Sequence, residues 1–288
     1  MRIAILISGQ PRFLYEGSGW FKHKVFPESK NIKVDYYCHF WDNGDPNLEN
    51  IVNETFSPVK YKIENYDNTI RQFIDKVQTE NKKLNDWNNV PDSNRFLQLF
   101  DQHEISPYAY NFWGQYLGAS KLTELVGNLS GSYDIVIKTR SDAIFNNMSE
   151  SLWLKCLSNI HRNPWLKDKM FSQWLYVNKG IPYIGDFAFI ARPEVYYNFS
   201  KDIEQHCFKL ATSDKALWKE LEVANFEHPP HWIWSKLSMY SRSDWLSFGV
   251  VWPNPFNVVL VRDYSENILS ETYQSLQHKF DEHASKHK

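Results

Sequence analysis

Tyr133-Asp134-Ile135-Val136-Ile137-Lys138-Thr139-Arg140-Ser141-Asp142 is the stretch that decides the fold. Ile135 to Ile137 is an unbroken β-branched run, the pattern of a strand covered on both faces and therefore central in a sheet. The run ends in three polar residues. A buried strand that feeds a charged turn is how an open α/β sheet offers side chains to a ligand, because ligands bind beyond the carboxyl ends of its parallel strands.

Before this strand, Pro107 to Leu129 reads as one long helix. Pro107 suits its first turn, Tyr110, Trp113, Leu117, Leu122 and Leu125 form an apolar face, and Gly131-Ser132 is the expected stop. Further upstream, Arg2 to Ile7 is a second aliphatic strand, followed at once by Ser8-Gly9-Gln10-Pro11-Arg12. Gly9 permits a tight turn there and Pro11 ends the ladder. Lys33 to Phe40 is a strand ending at Trp41-Asp42, and Val59 to Ile63 a third short one. Helices are expected within Tyr15 to Phe26 and over Thr69 to Leu84, with an exposed loop from Asn85 to Asn94. Strands separated by helices imply parallel pairing through crossovers.

Downstream the pattern shortens. Gly180 to Ile190 reads as a turn and a strand, and Pro193 opens a helix to about Ile203. Trp218 to Phe226 and Trp232 to Tyr240 are helical, while Val250 to Trp252 and Val258 to Arg262 are strands. The expected fold is α/β: a Rossmann-type, mixed but mostly parallel central sheet flanked by helices. One continuous domain is expected, with residues 1–145 as one half and 146–288 as the other.

Composition narrows the function. The 288 residues are 42% hydrophobic and 23% charged, which excludes disorder and fibrous repeats. A net charge of -2 gives no basic excess for strong nucleic-acid binding. The apolar run at Ile3 to Ile7 is too short for a leader or a membrane span, so a cytoplasmic setting is expected. Three scattered cysteines, Cys38, Cys156 and Cys207, make neither a disulfide framework nor a zinc pattern. Aromatic residues reach 16%, with 12 Trp, so the question is whether the rings pack or recognise a ligand.

No Walker loop, GxGxxG, GxSxG or HExxH occurs. The remaining chemistry lies at three strand ends: Ser8 to Arg12, His39 to Asp42, and Arg140 to Asp142. His228-Pro229-Pro230-His231 invites a metal reading, but its prolines favour a rigid entry to the Trp232 helix. Arg242-Ser243-Asp244 repeats the letters of the first triplet without a buried strand before it, and is read as coincidence.

Gly9-Gln10-Pro11-Arg12, His39-Phe40-Trp41-Asp42, Tyr133-Asp134 with the run to Arg140-Ser141-Asp142, and Gly185-Asp186-Phe187-Ala188 occur in this order. Together they resemble the nucleotide-sugar-dependent glycosyltransferases of the GT-A type, the short bacterial and viral polysaccharide enzymes above all. The resemblance runs in islands from Arg2 to Arg262. It implies sugar transfer from a nucleotide diphosphate, with uridine diphosphate as carrier, to a hydroxyl of a glycan or other acceptor. Residues 1–145 would hold the donor and 146–288 the acceptor. Ser8, Gly9, Gln10, Arg12, Trp41 and Asp42 would surround the nucleoside, and Arg140 and Asp142 would meet the diphosphate. Asp186 would be the base, with His231 and Glu227 as alternatives, and His231, Trp232, Trp234 and Trp245 would shape the acceptor side. One or more of those three tryptophans should then be exposed beside the donor cleft.

In one respect the chain departs from that family. Its triplet carries two carboxylates, whereas Arg140 stands first here. Two alternatives stay open: Mn²⁺ or Mg²⁺ on Asp142, or a guanidinium that binds phosphate directly. Two other function classes compete. A noncatalytic carbohydrate-binding module is commonly a β-sandwich, unlike this alternation of strands and helices. A nucleotidyl-transferring enzyme would normally need the glycine-rich phosphate loop that is missing.

Overall fold

The computed structural model describes residues 1–12, 14, 31–83, 107–145, 150–172, 175–178, 181–185, 188–213, 229–247 and 258–260. Among them, seven strands form one sheet: β1 (Arg2–Gly9), β2 (Lys33–Asp42), β3 (Lys60–Asn65), β4 (Ile135–Thr139), β6 (Lys169–Ser172), β9 (Ala188–Ala191) and β10 (Asp244–Ser247), in the spatial order β10-β6-β9-β4-β1-β2-β3. The ladders β1–β2, β1–β4, β2–β3 and β6–β10 are parallel. Only β9 runs against its neighbours β4 and β6. The fold is therefore α/β with a mixed, mostly parallel sheet, as expected. The quoted stretch is central: β4 lies between β1 and β9, and all five of its residues are buried.

Alternation along the strands divides the core. One face carries Ala4, Leu6, Tyr37, Trp41, Val136 and Phe189. Against it pack α2 (Tyr66–Lys83), α3 (Pro107–Val126), α5 (Pro193–Ser200), α6 (Ile203–Ser213) and α7 (Pro229–Ser241). The other face carries Ile3, Ile5, Ile7, Cys38, Phe40, Ile135 and Ile137, covered by α1 (Leu48–Phe56) and α4 (Glu150–Arg162). Helices on both faces are what buried parallel strands require.

Several boundaries differ from the sequence reading. Helix α3 stops at Val126, not Leu129, because Gly127 takes a left-handed φ of +66° and its N–H donates to the Thr123 carbonyl at 2.8 Å. The Gly180-to-Ile190 segment holds two strands, β8 (Ile181–Ile184) and β9; β8 pairs with β7 (Leu175–Asn178) in a separate hairpin. Helix α7 begins at Pro229 itself, so the paired prolines are its first turn, where a missing N–H costs no helical bond. Helices α1, α4 and α6 are additions to that reading. Immediately after β4, β5 (Ala143–Phe145) pairs antiparallel with β11 (Val258–Leu260). The expected elements at Tyr15 to Phe26, Asn85 to Asn94, Trp218 to Phe226 and Val250 to Trp252 lie outside the described residues.

Candidate active site at the carboxyl ends of the parallel strands

Parallel pairing sets the polar ends side by side. Ser8 pairs with His39 and Gly9 with Phe40, while Ile7 pairs with Thr139. Residues Ser8 to Arg12, His39 to Asp42 and Arg140 to Asp142 therefore leave the sheet at one edge. Gly9 has a φ of +128°, a conformation that strains any residue with a Cβ, and the chain turns at once, with Arg12 N–H donating to the Gln10 carbonyl at 2.8 Å.

Ser141 locks this turn to the next strand. Its side chain is buried, and its hydroxyl lies 2.8 Å from the Arg12 carbonyl and 3.2 Å from the Gln10 carbonyl. Both carbonyls belong to the turn after β1, so one hydroxyl couples the β1 and β4 ends. The sequence reading missed this role, since a serine between two charged residues carries no pattern of its own.

Arg140 and Asp142 form a bidentate pair. Nε donates to Oδ1 and Nη2 to Oδ2, both at 2.9 Å. Side-chain exposure is 21% for Arg140 and 2% for Asp142. The guanidinium is thus the member that faces outward, and the carboxylate is its buried anchor. Behind the pair, Lys138 is buried on β4, with its ammonium 5.4 Å from the Phe189 ring centre and 5.6 Å from that of Trp234. This second cation on the same strand was also passed over in the sequence. An edge carrying the exposed Arg12 and the partly exposed Arg140 suits an anion.

The fit to a divalent cation is poor. Both oxygens of Asp142 accept from Arg140, and the adjacent guanidinium cancels the charge a cation would seek. Among the described residues no group of three His, Cys, Asp or Glu side chains could hold a metal.

At the β2 end, placement separates packing from exposure. Trp41 is 1% exposed, its Nε1 donates to the Gly114 carbonyl at 3.1 Å, and its ring packs against His39 and Tyr66. No face of it is open to a nucleoside, which corrects the expectation for this residue. Asp42 is exposed and accepts from the Gly44 N–H at 2.8 Å, ordering the turn before α1. His39 is buried, with Nε2 2.7 Å from Glu64 Oε2. That hydrogen bond, aided by Lys62 and opposed by partial burial, lowers the Glu64 carboxyl to about 2.

The acceptor-side expectations divide as well. Trp234 is fully buried against Tyr116, Phe189 and Phe199, so it is core rather than an exposed platform. Trp245 is half-buried, edge-on to Phe189 and Phe199. His231 and Trp232 belong to α7, but their side chains lie outside the described ones. Asp186 and Glu227 lie outside the described residues altogether; Ala188, two positions beyond Asp186, pairs with Thr139 at the end of β4.

A cavity of ≈ 760 Å³ lies elsewhere, among α2, α3 and the start of α6, with Phe73 and Phe208 in its lining. Five carboxylates and two lysines also line it, a poor match for a diphosphate. It lies toward the amino end of the sheet, since Glu124 in its lining adjoins Leu125, whose carbonyl accepts from Lys60 at the start of β3. The strand-end chemistry is therefore the better candidate.

No family model and no curated protein matches the chain. Solved structures similar to it include mouse xyloside xylosyltransferase 1 in its apo form, with 6% identity, a TM-score of 0.43, and 86% of this chain and 85% of that chain covered. Another is the galactosyltransferase LgtC in complex with donor and acceptor sugar analogs, with 11% identity, a TM-score of 0.41, and coverage of 82% and 70%. Both likenesses are distant.

Proposed function

We propose that the protein is a glycosyltransferase that moves a sugar from a nucleotide diphosphate, uridine diphosphate by family resemblance, to an acceptor hydroxyl. The observation that carries this reading is the joined edge. The polar ends of β1 and β4 are tied through Ser141, and they present Arg140 on a buried aspartate. The four resembling islands supply the reaction class.

In the reaction, the bond between the anomeric carbon and the diphosphate oxygen breaks, and its electron pair leaves with the diphosphate. The acceptor oxygen forms the new bond to that carbon and loses its proton. Stabilising the charge that gathers on the leaving oxygens is the main electrostatic task, and Arg140 is assigned to it, with Asp142 as its positioning residue. Ser8, Gly9, Gln10, Arg12 and Asp42 are assigned to the donor side. If the anomeric centre inverts, a base must take the acceptor proton, and Asp186 is the candidate by sequence. Residues 146–288 would then shape the acceptor side, with the half-buried Trp245 as a candidate there.

A donor panel tests the reading. Uridine-, guanosine- and thymidine-diphosphate sugars are incubated with the protein, with and without Mn²⁺, and free nucleoside diphosphate is measured. Release from one of them is expected. Neither release nor thermal stabilisation by any of them would sink the reading.

A further inference from the structure

We propose that Arg140 stands where a divalent cation would: the guanidinium receives the donor diphosphate directly, and donor binding needs no metal. This deepens the nucleotide-sugar reading of the same site and rests on it.

Geometry carries the inference. A carboxylate that is to bind a hydrated cation must turn at least one oxygen toward it. Asp142 has each oxygen on a separate N–H of Arg140, both at 2.9 Å, and is only 2% exposed. A cation could reach it only by opening a part-buried fork-to-fork pair, the stronger class of ion pair. Arg140 is tenfold more exposed, at 21%, so the positive member meets whatever enters from solvent. The pair spans one intervening residue, and that residue, Ser141, is held by two carbonyls of the β1 turn. Asp142 thus orients the guanidinium, and Ser141 ties the turn that carries it to β1.

Charge points the same way. Two carboxylates with a divalent cation sum to zero, and so do one guanidinium and one carboxylate with no cation. Adding a divalent ion here would leave the triplet doubly positive. A guanidinium has five N–H donors in a planar fork, and the Asp142 contacts use two of them.

The test is calorimetric titration of the full chain with uridine, guanosine and thymidine diphosphates, once in EDTA and once in Mn²⁺. The inference expects the diphosphate that binds to do so within about twofold under both conditions, because a fixed guanidinium replaces the ion. Arg140→Gln should weaken it by at least about tenfold in EDTA, the loss of one charge-assisted contact. Arg140→Asp should bind only when Mn²⁺ is present. Circular dichroism melts confirm that both variants are folded, and either folded variant suffices. A wild-type protein that binds only with Mn²⁺, or an Arg140→Gln variant that binds normally, overturns the inference and leaves glycosyl transfer standing. No binding of any of the three under either condition overturns both.

Discussion

Each end of the sheet holds arginine and aspartate, and the two ends use them differently. At the amino ends of β1, β2 and β4, the arginine, aspartate and tyrosine contacts join separate strands. Arg2 meets Asp35 at 3.5 Å, and the Arg2 N–H donates to Asp134 at 2.8 Å. Tyr37 and Tyr133 share a hydrogen bond of 2.8 Å, and Tyr133 donates to Asp35 at the same distance. Burial, then those two bonds, push the Tyr133 hydroxyl well above its ordinary range. At the carboxyl ends, Arg140 and Asp142 sit two residues apart on the same turn and pair with each other. Ser141 ties their turn to the one after β1. A pair that spans strands secures register. A pair closed within one turn holds a side chain in position, which is the property a binding site needs.

The largest effect that would break this contrast is on turnover. Arg140→Ala should lower donor turnover by about a hundredfold or more, as loss of a positioned electrostatic stabiliser does. Asp134→Asn, at the other end, should leave it within about twofold, since its carboxylate touches only strand backbone and His161. Equal losses would erase the distinction. On stability, Asp142→Ala should cost about 3 kcal/mol in denaturant melts, because it removes the buried carboxylate that anchors the guanidinium. Arg2→Ala, whose pair is exposed, should cost less than about 1 kcal/mol.

Ser141→Ala should cost about 1–2 kcal/mol, chiefly for the Arg12 carbonyl it abandons. It should also slow turnover by about tenfold, by loosening the turn that carries Arg140. A loss of stability alone would make Ser141 a structural clamp only. The smallest effect is a pH effect at Glu64, which sits beside the edge without belonging to it. Its carboxyl is lowered from 4.5 to about 2, chiefly by the His39 hydrogen bond. A folded value below the unfolded one means stability that is present above pH 4.5 and is lost as pH falls through about 2. Comparing acid unfolding of wild type with Glu64→Gln should show a gap that closes across this window. A gap independent of pH would show that the carboxylate charge is not what matters.

How far the sequence could carry this differs by element. The buried strands were legible because runs such as Ile3 to Ile7 and Ile135 to Ile137 tolerate only one reading. The antiparallel β9 was read as a strand, but its direction depends on pairing with Thr139 and Ser172, which no local pattern encodes. Helix α1 was passed over although Leu48, Val52 and Phe56 recur at helical spacing, because Asn and Glu dilute the signal over nine residues. Helix α6 shows Ile203, Cys207 and Leu210 on one face, and was masked by the helix immediately before it. In the site, the charged triplet was visible, but its internal pairing was not. The resemblance implies ligand-side roles for Trp41 and Trp234; burial makes them core. The same burial divides the aromatic excess, with the larger part of the rings described here serving as packing.

The account's central claim is that the nucleotide binds at the carboxyl end of the sheet. Hydrogen–deuterium exchange with and without saturating uridine diphosphate tests it most directly. The account predicts added protection in peptides covering Ser8 to Arg12 and Arg140 to Ala143, and none in peptides covering Lys33 to Asp35 or Ser130 to Asp134. Protection confined to the amino ends, or to the α2–α3–α6 cavity, would contradict it.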